Sequence, residues 1–217
     1  MKAPRRNYLV VEGPIGVGKT SLARRLAQTF DSGELLLEGA AENPFLERFY
    51  RNPREAALPT QLYFLFQRAR QMQALRQGDI FQPVRIADFL LQKDRLFASL
   101  TLDDEELKLY EQVYNQMTFE APVPDLVIYL QAPVEVLRGR IRARGIAHEQ
   151  LIETDYLQRV VDAYARLFHY YDASPLLIVN AAEIDLVNSG RDYEALVERI
   201  RGISSGRHYF NPLPLAL

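Results

Sequence analysis

Residues Gly13-Pro14-Ile15-Gly16-Val17-Gly18-Lys19-Thr20 fit the pattern G-x-x-x-x-G-K-[ST]. A loop of this kind cradles phosphates. Glycine at 13, 16 and 18 permits positive φ and close backbone approach, so successive N–H groups can converge on phosphate oxygens. Ser21 follows and opens a helical run, whose N-terminal partial charge adds to the attraction for an anion. Lys19 would reach the β- and γ-phosphates, and the Thr20 hydroxyl would hold Mg²⁺. Residues 13–21 are therefore expected to bind a nucleoside triphosphate. A second group of cations, Arg138, Arg140, Arg142 and Arg144, lies far along the chain. On a helix Arg140 and Arg144 share one face and Arg138 and Arg142 another. Arg140 and Arg144, followed by Gly145 as a helix end, suit a lid whose fixed charge stabilises a phosphoryl-transfer transition state. Arg138 and Arg142 read as solvated.

These side chains need a scaffold that brings distant segments together. Tyr8-Leu-Val-Val before the loop reads as a buried strand, and Leu22, Ala23, Leu26, Ala27 and Phe30 after it have helical spacing. Further strands are expected at Glu34–Glu38, Pro83–Asp88, Asp125–Gln131 and Leu176–Asn180. Helices are expected around 44–50, 57–77, 88–98, 103–118, 133–144, 149–170 and 190–202. This alternation predicts an α/β fold: a five-stranded parallel sheet with helices on both faces, ligands at the carboxyl ends of the strands, and the arginine-bearing lid. No repeat or linker interrupts residues 1–217, so a single domain is expected. The segment after Ser204, with its Asn-Pro and Leu-Pro steps, reads as extended chain.

Composition narrows the function classes. The 217 residues are 48% hydrophobic and 25% charged, an ordinary globular balance. The absence of cysteine excludes disulfides, zinc–thiolate sites and thiol nucleophiles. A net charge of −2 argues against broad nucleic-acid binding. No apolar run approaches a membrane span, and Glu12 with the phosphate loop interrupts any leader-like stretch, so a cytoplasmic protein is expected. Neither a D-x-x-G switch nor an N-K-x-D guanine reader of a GTPase is present. The short length favours a small-molecule kinase.

The loop Glu12-Gly-Pro-Ile-Gly-Val-Gly-Lys-Thr20 is joined by Glu42-Asn-Pro-Phe-Leu-Glu-Arg-Phe-Tyr50, Gln61-Leu-Tyr-Phe-Leu-Phe-Gln-Arg68, Lys93-Asp-Arg-Leu-Phe-Ala98, Tyr129-Leu-Gln-Ala-Pro133 and the arginine series. In that order, over roughly residues 8–170, the chain resembles the deoxynucleoside kinases. The resemblance implies ATP as phosphoryl donor, Mg²⁺, a deoxynucleoside acceptor and a homodimer. Glu42 resembles the family's carboxylate that accepts the proton of the nucleoside 5′-hydroxyl, a role that needs a base within hydrogen-bond reach. Read alone, Glu42 could equally favour the positive end of a helix begun by Pro44, and Glu38 is its nearest rival. Gln61 and Arg68, seven residues apart on one helical face, resemble base-reading residues; the Gln61 amide offers a donor and an acceptor. Tyr50 and Glu149 resemble the pair that binds the sugar 3′-hydroxyl.

Two departures stand out. Family members often end the third strand with an acidic residue, then Arg and Ser, where this chain has Asp88-Phe89-Leu90. Asp88 could serve on the magnesium side, a carboxylate being a suitable hard oxygen ligand. Lys93 or Arg95 could supply the missing charge. The lid also reads Arg144-Gly145-Ile146, where relatives often carry a further arginine. The similarity is greatest to bacterial purine-type members, with deoxyadenosine expected first and deoxyguanosine second. The rival readings are a thymidylate-type monophosphate kinase, whose charged acceptor a carboxylate would repel, and a nucleotide-binding regulator with little catalysis.

Overall fold

The computed structural model describes residues 7–32, 34–77, 84–117, 122–186 and 189–211. Six strands, β1 (Tyr8–Glu12), β2 (Glu34–Leu36), β3 (Arg85–Ala87), β4 (Leu126–Gln131), β5 (Leu176–Asn180) and β6 (Arg207–Phe210), form one sheet in the order β2-β3-β1-β4-β5-β6. Every pairing is parallel. The α/β class and the two-sided cover agree with the sequence, whereas the strand count among the described residues is six rather than five. The additional strand is the four-residue Arg-His-Tyr-Phe segment, exposed at alternate positions, which adds to β5 at the sheet edge. Four residues of mixed polarity carry too little periodicity to be distinguished from extended coil.

Two faces follow from the pleat. Leu9 and Val11 of β1, with Ile128 and Leu130 of β4, pack against α1 (Lys19–Thr29), α6 (Val134–Arg144) and α8 (Gly190–Gly202). Tyr8 and Val10, with Val127 and Tyr129, pack on the other side against α7 (Thr154–Tyr170), Met72 of α3 (Pro53–Gln77) and Leu96 of α4 (Lys93–Thr101). Period-2 strands clad by helices on both sides read as continuous apolar runs, which is why β1, β4 and β5 were legible.

Several helix bounds shift for local reasons. The helix expected from 44 begins later, as α2 (Leu46–Arg51), because Asn43 accepts the Phe45 N–H at 3.0 Å and holds a turn there. Pro53 opens α3 four residues earlier than expected, at a first position that lacks no needed donor. Residues 88–92 are not helical, and α4 starts only at Lys93. The run expected over 149–170 divides into a 3-10 turn at Ala147–Leu151 and α7. The helix expected around 103–118 is α5 (Asp104–Gln116), which opens on a capping box: Asp103 accepts from Glu105 and Glu106 N–H, and Glu106 reciprocates.

Candidate active site

The order β3-β1-β4 puts the carboxyl end of β1 in the middle of the sheet, and the phosphate loop leaves from there into α1. Gly13, Gly16 and Gly18 have φ of 148°, 85° and 104°. A Cβ at Gly13 would lie 2.3 Å from the Leu130 carbonyl oxygen, and one at Gly16 would lie 2.8 Å from Ile141 Cγ1. The loop therefore presses on β4 and on the arginine-bearing α6, an approach only glycine allows. Lys19 donates to the Pro14 carbonyl at 3.2 Å. Burial and the Lys93 ammonium lower its pKa, opposed by Glu12, Glu38 and Asp88.

The Thr20 hydroxyl donates to Asp88 Oδ2, while Asp88 Oδ1 accepts the Glu38 N–H at 2.7 Å. A hydroxyl and a carboxylate side by side next to the loop lysine fit Mg²⁺, which uses one or two protein oxygens and fills its shell with water and phosphate oxygens. Among the described residues no cluster of three or more acidic or histidine side chains offers an all-protein metal cage.

Two cavities flank the loop. The first, about 550 Å³, lies among Gly16–Gly18, Arg140, Arg144 and the Ala181–Leu186 segment after β5. The second, about 620 Å³, opens in front of Lys19, Thr20 and Asp88; α2 contributes Phe49 and Tyr50, α3 contributes Gln61, Phe64 and Arg68, and the far wall holds His148, Glu149 and Tyr156. Arg144 lines both. Tyr50, Gln61, Arg68, Asp88 and Glu149, expected on one acceptor site, are thus brought together. The Gln61 side chain is buried and makes no hydrogen bond among the described residues, leaving its amide available to the cavity. Burial, with Tyr156, Glu149 and Glu38 nearby, raises the Tyr50 pKa well above its ordinary value, so its phenol remains a donor.

Arg140 and Arg144, expected on a lid, sit where α6 meets the loop. Arg140 donates to the Val17 carbonyl at 3.2 Å and the Ala181 carbonyl at 2.6 Å. Arg144 pairs with Glu149 at 2.5 Å, linking the two cavities. Gly145 caps α6 in the left-handed region at φ 69°.

The acids divide differently from expectation. Glu42 ends a 3-10 turn (Ala40–Glu42), is exposed, accepts from Gln67 Nε2 at 3.2 Å, and does not line the cavity. Glu38 does line it. One of its oxygens accepts from Arg68 and the other from Lys93 at 2.8 Å. Burial alone would raise its pKa; the charges of Lys93, Arg68 and Lys19 overcome that and bring it down to about 2. Gly39, at φ 62°, turns the chain immediately after Glu38; Ala40 and Ala41 still line the cavity, whereas Glu42 does not.

Of the buried charged groups here, Glu12 and Asp94 were not singled out, and Lys93 was named only as one of two candidates for the missing charge. Glu12, fully buried at the end of β1, accepts from the Gly13 N–H at 2.8 Å, the Leu90 N–H at 2.9 Å and the Tyr164 hydroxyl at 2.9 Å. Lys93 stands between Glu12 and Glu38. Asp94 pairs with Arg68 from behind. The one visible signal was an acid closing an otherwise apolar strand.

A parallel sheet with a phosphate loop at its switch point, facing a cavity that holds a buried carboxylate, defines a phosphate-loop phosphotransferase. A profile for deoxynucleoside kinase matches residues 9–204. A deoxyguanosine kinase of Bacillus subtilis is 33% identical over 203 residues, covering 89% of this chain and 96% of that protein. A deoxyadenosine kinase of Lactobacillus acidophilus is 29% identical over 206 residues, covering 88% and 93%. The deoxyadenosine kinase of M. mycoides, solved with bound dATP, shares the fold at TM-score 0.78 and 23% identity, over 90% of this chain and all of that one. The chain belongs to the deoxynucleoside kinase family, phosphotransferases that act on a deoxynucleoside hydroxyl.

Proposed function

We propose that the chain transfers the γ-phosphoryl of ATP to the 5′-hydroxyl of a purine deoxynucleoside, with Glu38 rather than Glu42 as the base. The supporting observation is an ionised carboxylate at Glu38 that shares one cavity with Lys19, Thr20 and Gln61. The loop amides and Lys19 hold the triphosphate, and the first cavity takes the rest of the donor. In the second cavity Gln61 and Arg68 read the base edge, Tyr50 and Glu149 hold the sugar 3′-hydroxyl, and Glu38 accepts the hydrogen bond of the 5′-hydroxyl. That bond aims the oxygen at phosphorus and removes its proton as the new P–O bond forms. Arg140 and Arg144 bring fixed positive charge to the transferring group. Thr20 and Asp88 would hold Mg²⁺, which when bound neutralises charge on the β- and γ-oxygens.

A monophosphate acceptor fits less well: its phosphate would meet the negative charge of Glu38, while Arg68 and Lys93 are already committed to carboxylates. The proposal extends to a cytoplasmic single-domain protein working as a homodimer, for which light scattering should give twice the 25.0 kDa chain mass. The function itself is tested by incubating the chain with ATP, Mg²⁺ and each of the four deoxynucleosides and weighing the products. Deoxyadenosine and deoxyguanosine should yield monophosphates with kcat/KM at least about tenfold above thymidine, the margin a few polar contacts supply. Preference for thymidine, or phosphorylation of a monophosphate instead, would refute the assignment, and no transfer at all would favour the regulator.

A further inference from the structure

Lys93 occupies a position that neither helix formation nor burial favours. It is the first residue of α4, where a cation meets the positive end of the helix dipole, and it is only 2% exposed. An ammonium there persists because acids meet it from two directions. Its Nζ donates to Glu38 Oε2 at 2.8 Å and lies 3.7 Å from Glu12 Oε1. Glu12 in turn cannot shift: main-chain N–H groups of Gly13 and Leu90 and the Tyr164 hydroxyl fix both of its oxygens. The residue after Asp88 is the wholly buried Phe89, so no charge comes from that position. Arg95, the other cation near the start of α4, points away and engages Glu111 at 3.0 and 3.1 Å, with its side chain half exposed.

We infer that Lys93 is a positioning residue of the transfer reaction: held from behind by Glu12, its ammonium fixes the Glu38 carboxylate in the orientation that receives the acceptor hydroxyl. The inference rests on the reading of Glu38 as the base. It makes the end of β1, from which the phosphate loop departs, the common anchor of donor and acceptor chemistry. A mere stabilising pair would be a poor use of the site, since buried ion pairs seldom outperform apolar packing.

A positioning role has a signature in turnover rather than in ATP binding, because the Lys93 ammonium bonds to the Glu38 carboxylate and not to the phosphate loop.

The test uses the full chain with Lys93→Met, Lys93→Gln and Lys93→Arg, each checked for cooperative thermal unfolding. Folded neutral variants should lose about a hundredfold in kcat with KM for ATP within about threefold. Lys93→Arg should restore most of kcat. A folded neutral variant with unchanged kcat, or failure of both neutral variants to fold, would make Lys93 a structural ion pair and overturn the inference. Wild type without transfer, or Glu38→Gln with full kcat, would instead remove the underlying reading of the site.

Discussion

At the scale of single residues, the site is a chain of alternating charge in which Glu12, Lys93, Glu38, Arg68 and Asp94 succeed one another. Its central acid is depressed from 4.5 to about 2, which fixes a sign for stability. A group whose folded pKa is lowered stabilises the fold above its unfolded value and loses that contribution as pH falls through the folded one. Glu38 should therefore contribute up to about 3 kcal/mol above pH 4.5, lost between there and pH 2. Urea midpoints measured across that window should fall less steeply for Glu38→Gln than for wild type; parallel curves would contradict the assigned ion pairs. The family resemblance chose Glu42 over Glu38, its nearest rival, although Glu38 lies closer to the end of β2. The left-handed turn at Gly39, which separates them, has no pattern beyond a single glycine. Lys93 and Arg95 were inseparable for a similar reason: which of them faces inward depends on where α4 begins, and its start lies five residues beyond the expected one.

At the scale of elements, the phosphate loop is a joint between β1, β4 and α6. Gly13 meets main chain, which no rotamer change can relieve: a Cβ there would stand 2.3 Å from the Leu130 oxygen. Gly13→Ala should consequently weaken ATP binding by at least about tenfold and lower the melting temperature, through strain at φ 148° and displacement of the loop. Calorimetric titration with ATP checks this, and wild-type affinity would show that the loop tolerates the shift. The loop and its flanking strand and helix were readable because strand, turn and helix each carry their own local signal. The division of 147–170 into a 3-10 turn and α7 was not, since Tyr50 and Glu149 meet only when α2 packs on that turn. Arg140 and Arg144 share one face of α6 as i, i+4 spacing put them, whereas the partners of Arg140, the Val17 and Ala181 carbonyls, come from sequence-distant segments.

At the scale of the whole molecule, six parallel strands bring the ends of β1, β3 and β5 to one edge, where two cavities share the loop and Arg144. Class and family were legible from the order of motifs, because a parallel sheet makes sequence order predict which strand ends meet. The sixth strand, and which of the two acids lines the cavity, depended on packing. One assay bears most directly on the account: kcat with the preferred deoxynucleoside, alongside the Kd for ATP, in Glu38→Gln and Glu42→Gln. Glu38→Gln should lose about 10²- to 10⁴-fold in kcat with near-normal ATP binding, while the exposed Glu42→Gln should stay within about threefold. The reverse pattern, or full turnover in both, would contradict Glu38 acting on the acceptor hydroxyl.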